Sequence, residues 1–90
     1  MINFEWDPEK ARANEQKHEI SFVEATEVFD DDHSSSTRDP DHSYDEERYL
    51  IFGMSKSSKY IVVSYTERGN RVRIISARQM TPRERRAYEQ

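Results

Sequence analysis

The chain has 90 residues and a mass of 10.8 kDa, which is enough for one small domain and excludes a second independent core. Only 33% of the residues are hydrophobic, but the net charge of −4 is too small for a typical disordered chain. We therefore expect residues 1–90 to form a single folded domain. The absence of cysteine excludes disulfides, thiolate nucleophiles and cysteine-bound metals.

Membrane and secretion signals are missing from the sequence. No apolar run approaches the roughly 20 residues that a membrane helix needs. The first residues also lack the basic start and apolar stretch of a signal peptide. The sequence therefore predicts a cytoplasmic protein with no membrane partner.

Charge is divided unevenly along the chain. Residues 1–47 carry four basic and fifteen acidic side chains, whereas residues 48–90 carry ten basic and three acidic ones. Such asymmetry indicates either a polyanion such as nucleic acid or an acidic partner. Eight of the ten basic residues are arginine, whose planar fork of donors suits phosphate. Neutralisation of one half by the other explains the pattern equally well, so charge alone leaves both interpretations open.

The first half of the chain predicts a strand followed by two helices. Apolar and polar residues alternate over positions 2–6, which is typical of a half-buried strand. Asp7-Pro8 is a helix start signal, so a helix should run from residue 8 to about residue 18. Ser21 and Glu24 form a capping box that opens a second helix ending near residue 30.

The second half predicts three strands and a final helix. Residues 30–47 are polar and should be mostly loop, with a short edge strand at 35–38. Strands at 48–54, 60–66 and 71–77 should form an antiparallel meander, and Thr81-Pro82 opens a last helix that ends near residue 89. The fold class is α+β, in the order β-α-α-(β)-β-β-β-α. We expect the two early helices to cover one face of a mostly antiparallel sheet and to leave the other face open.

The last predicted strand places two arginines on one face of the sheet. Strict alternation puts Val72, Ile74 and Ser76 on one side. Arg71 and Arg73 then lie on the other side, together with Ile75.

A series of motifs follows one order along nearly the whole chain. They are Trp6-Asp7-Pro8 with Lys10 and Asn14, Lys17-His18 with Ser21-Phe22 and Glu24-Ala25, Val28-Phe29-Asp30, Glu47-Arg48, Thr66-Glu67-Arg68-Gly69, and Arg73-Ile74-Ile75-Ser76-Ala77-Arg78 with Thr81, Glu84-Arg85 and Tyr88. In these motifs the chain resembles the BrnT family of ribonuclease toxins. One departure is Glu19, which stands where the family usually has glycine, so a left-handed backbone there would be strained.

The resemblance implies a RelE-like α+β fold and RNA cleavage that inhibits translation. It also implies a BrnA-like antitoxin with a ribbon-helix-helix domain, which would block the toxin and repress their shared operon. Contact with DNA would then occur only through the antitoxin. Outside Glu47, residues 30–47 match the family weakly and carry no implied function.

The residues can support RNA cleavage without a metal or another cofactor. When the ribose 2′-hydroxyl attacks the neighbouring phosphate, the protein must accept a proton, stabilise the phosphate charge and protonate the leaving oxygen. We hypothesise that Arg73 and Arg78 hold the scissile phosphate. An alternative for Arg78 is a structural ion pair with Glu84. Further contacts to the RNA backbone, or plain solvated charges, are expected at Arg48, Lys56, Lys59, Arg68, Arg71, Arg83 and Arg86.

Proton transfer has two main candidates, His18 and Glu84. His18 could instead hydrogen-bond the last carbonyls of its helix, and Glu84 also has a capping role. Tyr65 and Tyr88 are weaker candidates, since packing is the usual role of such rings.

The acidic stretches at 30–33 and 39–42 have ligand types that suit metals, but their spacing fits no closed site, so we expect a solvated loop and no bound metal. Two other function classes stay open. A non-catalytic protein would use its charged faces only to bind RNA or an antitoxin. A small metal-dependent nuclease would use the acidic loop and lose all activity in EDTA.

Overall fold

The computed structural model describes residues 2–41 and 46–90, and its elements follow the predicted order. They are β1 (Asn3–Glu5), α1 (Pro8–His18), α2 (Phe22–Glu27) continued by a 3-10 turn (Val28–Asp30), β2 (Ser35–Arg38), β3 (Tyr49–Met54), β4 (Tyr60–Arg68), β5 (Arg71–Gln79) and α3 (Pro82–Tyr88). One sheet contains all five strands in the order β1-β5-β4-β3-β2. β1 is parallel to β5 and every other pair is antiparallel, which confirms the α+β class and the short strand β2.

The predicted helix starts are present as hydrogen bonds, but the capping box predicted at Ser21 and Glu24 is only half formed. The Glu24 carboxylate accepts from Ser55, Ser57 and Lys59 and not from the backbone of Ser21. Asp7 accepts from the backbone of Glu9, and Ser21 accepts from Glu24, each through a side-chain oxygen. Thr81 opens α3 with a complete capping box. α1 ends at Glu19, whose φ of 59° is left-handed and is the conformation that glycine adopts most easily.

Helices α1 and α2 cover one side of the sheet, here called the core face, which presents Ile61, Val63, Tyr65, Ile74 and Ala77. The connection between the helices and α2 itself contribute Ile20 and Phe22, both almost fully buried. Aromatic rings compensate for the scarcity of aliphatic side chains, because Phe22 packs edge-on against Trp6, and Phe29 packs edge-on against Phe4 and Tyr65.

A buried asparagine joins α1 to the sheet. The side chain of Asn14 donates to the carbonyls of Ala77 and Ile20 and accepts from the backbone N–H of Ala77, at 2.9, 3.2 and 3.1 Å. The Asn14 side chain therefore supplies the hydrogen-bond partners that a neighbouring strand would otherwise give to the backbone of Ala77. α1 packs through this polar contact, as its thin apolar face requires.

The opposite side of the sheet is here called the arginine face, because Arg68, Arg71, Arg73 and Arg78 lie on it. A bulge in β5 corrects the predicted alternation: Ser64 pairs with Ser76, Tyr65 pairs with Ile74, and Ile75 is the additional residue. Residues directly opposite each other share a face. Ser76 therefore lies on the arginine face, not with Ile74 as strict alternation predicts.

The arginine face is only partly open, which corrects the expectation of a fully uncovered face. Helix α3 lies over one end of it, where Tyr88 contacts the Tyr60 ring edge-on and Glu84 binds Arg78. No helix formed by residues 2–41 or 46–90 covers the remainder of this face.

Candidate nucleic-acid interface

Three arginines surround one carboxylate on the arginine face. Glu5 of β1 is the direct neighbour of Arg73 on β5, and their side chains meet at 2.7 Å. Arg71 and Arg68 approach the same carboxylate at 3.5 and 3.8 Å. The hydrogen bond from Arg73 lowers the pKa of Glu5 below its ordinary value, with Arg71 assisting against the opposing effect of burial.

A second carboxylate extends this cluster. Glu46 accepts two hydrogen bonds from Arg68, at 2.7 and 3.0 Å. Those bonds lower the pKa of Glu46 below its ordinary value. Burial opposes this effect, whereas the charges of Arg73 and Arg48 lower the pKa further. Arg48 and Arg73 are therefore close enough to Glu46 to act on it electrostatically. Four arginines and two glutamates form this unit, here called the arginine cluster: Arg48, Arg68, Arg71, Arg73, Glu5 and Glu46.

A buried hydroxyl lies beside the arginine cluster. Thr66 is opposite Arg73 in the β4–β5 ladder and is fully buried. Within the described part of the chain, its Oγ1 has no hydrogen-bond partner. Such a group normally finds an acceptor or a donor.

Arg78 forms the structural ion pair that was the alternative to phosphate binding. Its guanidinium donates two hydrogen bonds to Glu84, at 2.8 and 3.0 Å, and so ties β5 to α3. These bonds, with those from Thr81 and against the effect of burial, lower the pKa of Glu84 to about 2. A carboxylate this acidic is a weak general base near neutral pH.

The proton-transfer candidates are not brought together with Arg73. His18 is the last residue of α1, which packs on the core face, so the sheet separates that helix from the arginine cluster. Tyr65 is buried in the core face with its hydroxyl on Ser36. Tyr88 donates its hydroxyl to Asp31, and burial together with this bond raises its pKa to about 12. At the end of α1 the backbone N–H of Glu19 donates to the carbonyl of Glu15, and the described contacts include none between the His18 ring and the last carbonyls of the helix.

The predicted RNA contacts fall into three groups. Arg48, Arg68 and Arg71 belong to the arginine cluster. Lys56 and Lys59 lie in the turn after β3, beside α2, where Lys59 binds Glu24 and the backbone of Lys56 donates to Glu27. This turn is remote from the arginine cluster, so the structure does not bring those lysines into one site with it. The third group, Arg83 and Arg86, is exposed on α3.

The acidic stretch after α2 has a structural role at Asp31. This carboxylate accepts from the backbone N–H groups of His33 and Met54 and from the hydroxyl of Tyr88, and so joins α3 to β3. Burial raises its pKa, but these bonds outweigh burial and lower it. Among the described residues no group of three or more potential ligands could hold a metal, and His42 of the second acidic stretch lies outside them.

A groove of about 490 Å³ separates α3 from β2 and β3. Phe52 and Ser35 of the sheet line one side, and Arg83, Ala87 and Tyr88 of α3 line the other. Its volume is within the range of small-ligand sites. Apolar surface with a cation at its edge can bind an aromatic anion.

Sequence reasoning missed the carboxylates that hold the arginines. Alternation in β1 does place Glu5 on the face opposite Phe4, but nothing in the sequence reveals that β5 is its neighbour. The partners of Asp31 and Glu46 are likewise distant in the chain.

None of the helices in the described ranges has the length and apolar character that crossing a bilayer demands.

Comparison with known proteins identifies the family. A family model described as ribonuclease toxin, BrnT, of type II toxin-antitoxin system matches residues 6–84. The crystal structure of the Brucella abortus ribonuclease toxin BrnT is similar in fold, with a TM-score of 0.65 and 20% sequence identity over 90% of this chain and 99% of that one. A search of curated proteins finds no significant match. Because the family model spans most of its length, the chain belongs to the BrnT family of ribonuclease toxins of type II toxin-antitoxin systems.

Proposed function

We propose that this protein is an endoribonuclease that needs no metal, cleaves RNA by attack of the 2′-hydroxyl on the adjacent phosphate and thereby inhibits translation. Guanidinium groups on the arginine face would hold the RNA backbone and stabilise the charge of the transition state. A BrnA-like antitoxin with a ribbon-helix-helix domain would bind the toxin and block this activity, and DNA would be contacted only through it.

The arginine cluster is the observation that carries this proposal. Four arginines, from β4, from β5 and from the position before β3, converge on a part of the sheet that none of the described helices covers. Arg73 is held by Glu5, which lies directly opposite it on β1, and its side chain is less exposed than those of Arg68 and Arg71. Preorganised cations of this kind stabilise developing phosphate charge without further rearrangement.

RNA would displace carboxylates from these arginines. Arg73 is paired with Glu5 and Arg78 with Glu84, and the two arginines are roughly 15 Å apart along β5. This separation favours binding of successive phosphates over joint binding of one, so we assign the scissile phosphate to Arg73 and a neighbouring phosphate to Arg78. Glu5 then acts as a competitor that holds Arg73 in place until RNA binds.

The direct test is incubation of the purified protein with RNA, followed by identification of the product ends. Cyclic 2′,3′-phosphate ends that form equally in EDTA are the expected result. Intact RNA would favour the non-catalytic binding protein, and complete loss of cleavage in EDTA would favour a metal-dependent nuclease.

Substitutions on either side of one ion pair test the role of Arg73. Arg73→Ala should abolish most cleavage, whereas Glu5→Gln should strengthen RNA binding because it removes the competing charge. Lys56→Ala is the matched control, since this lysine lies beside α2 and should leave cleavage unchanged. Unchanged cleavage by folded Arg73→Ala would remove Arg73 from the site.

The proton-transfer roles of His18 and Glu84 stay predictions. Cleavage rates of His18→Ala and Glu84→Gln test them, and normal rates for both folded variants would exclude both residues. The geometry favours this exclusion, because His18 is on the core side of the sheet and Glu84 is strongly acidic.

A further inference from the structure

We propose that the groove between α3 and strands β2 and β3 binds one nucleotide of the single-stranded RNA, with its base stacked on the ring of Phe52. This site deepens the proposed function and rests on it, because it adds a base-binding pocket to a face that otherwise offers only phosphate contacts.

Small side chains leave the ring of Phe52 accessible. Phe52 lies on the arginine face and is half-exposed, and its neighbour on β2 is Ser35, which is too short to cover it. On the opposite wall of the groove, α3 presents Ala87, which is also short and exposed. Because both side chains are short, a space remains between the helix and the sheet here.

Charge favours a nucleotide as the occupant. Arg83 is at the edge of the groove and forms no ion pair with any residue in the described ranges. Glu84 also lines the groove, but its charge is balanced by the two bonds from Arg78. An incoming anion therefore meets one unbalanced guanidinium and a partly buried ring, and single-stranded RNA is bound by stacking on aromatic rings beside cations.

The groove lies next to Arg78, which belongs to the arginine face. Phe52, Val62 and Arg78 are direct neighbours across β3, β4 and β5, so Phe52 and Arg78 are about 10 Å apart between their Cα atoms. A base on Phe52 can thus belong to the same strand whose phosphates lie along β5. His33 and Ser35 line the groove and offer polar groups to the edge of the base.

Affinity for a labelled 2′-O-methyl RNA oligonucleotide of mixed sequence tests this assignment, because the blocked 2′-oxygen prevents cleavage during the measurement. Phe52→Leu keeps the apolar volume but removes the π-face, and should weaken binding by about fivefold to a hundredfold. Phe52→Tyr keeps the ring and should bind within about twofold of the parent protein. Ala87→Leu fills the groove from an exposed helix position without adding a π-face and should weaken binding as much as Phe52→Leu.

Unchanged affinity of both Phe52→Leu and Ala87→Leu would overturn the assignment. Loss of antitoxin affinity with unchanged RNA affinity would also overturn it and would assign the groove to the protein partner. The result is separable from the nuclease proposal: binding through Phe52 without cleavage of unmodified RNA refutes only the nuclease, and full cleavage by Phe52→Leu with unchanged affinity refutes only the groove. A titration with 5′-AMP, followed by the amide signals of residues 35, 52 and 87, should shift these signals, whereas ribose 5-phosphate should not.

Discussion

Replacement of Glu84 by glutamine separates the structural role of Arg78 from its proposed role in RNA binding. Glutamine keeps the capping bond to the backbone of Thr81, because a neutral amide oxygen also accepts there. It removes the charge that binds Arg78 and replaces one of the two oxygens that accept from Arg78 with an NH2 group. The variant should therefore be less stable than the parent protein but should bind RNA more tightly, since Arg78 no longer has an internal anion.

The size of the stability loss follows from the pKa of Glu84. A fall from 4.5 to about 2 corresponds to an upper limit of about 3 kcal/mol. The side chains of Arg78 and Glu84 are 40% and 25% exposed, so solvent screening reduces the expected loss to about 1–2 kcal/mol. For a chain of this length, that corresponds to a decrease in Tm of roughly 4–15 °C.

The loss must also depend on pH in a defined direction. Because folding lowers the pKa of Glu84, its contribution is fully present above the unfolded value near 4.5 and disappears as the pH falls toward 2. Urea unfolding, followed by the fluorescence of Trp6, should show parent and variant differing at pH 7 and converging as the pH falls to about 2 and below. A difference in the free energy of unfolding that is the same at pH 7 and at about pH 2, or no difference at pH 7, would refute the reasoning.

Three further substitutions test the fold. Asn14→Ala should reduce the free energy of unfolding by about 2–4 kcal/mol, because backbone groups of Ala77 lose buried partners; urea midpoints will show this. Glu19→Gly should raise the free energy of unfolding by about 0.5–1 kcal/mol, because glycine adopts the left-handed backbone without strain. An unchanged Tm would contradict this expectation. Thr66→Val should be neutral or more stable by up to about 1–2 kcal/mol, and calorimetry showing a clear loss would mean that the hydroxyl has a partner in solution.

Local signals in the sequence predicted the elements well. Asp7, Ser21 and Thr81 start their helices as their side-chain chemistry requires. These features involve neighbours in the chain, so hydrogen-bonding capacity and backbone preference are enough to identify them.

Features that depend on distant partners could not be predicted. The bulge at Ile75 arises where β4 and β5 change register, and it reverses which side chains share a face with Arg73. The pairing of Asp31 with Tyr88 spans 57 residues and positions α3 over the sheet. For the candidate site, the sequence identified the arginines but not the carboxylates that restrain them.

The parallel pairing of the first strand with the last has a consequence for synthesis of the protein. Glu5 is 68 positions from Arg73, and Asn14 is 63 positions from Ala77, so neither contact can form until most of the chain has left the ribosome. Closing such long loops is also the slow part of folding. A nascent chain is therefore expected to lack its assembled arginine face until β5 has been synthesised and has left the ribosome.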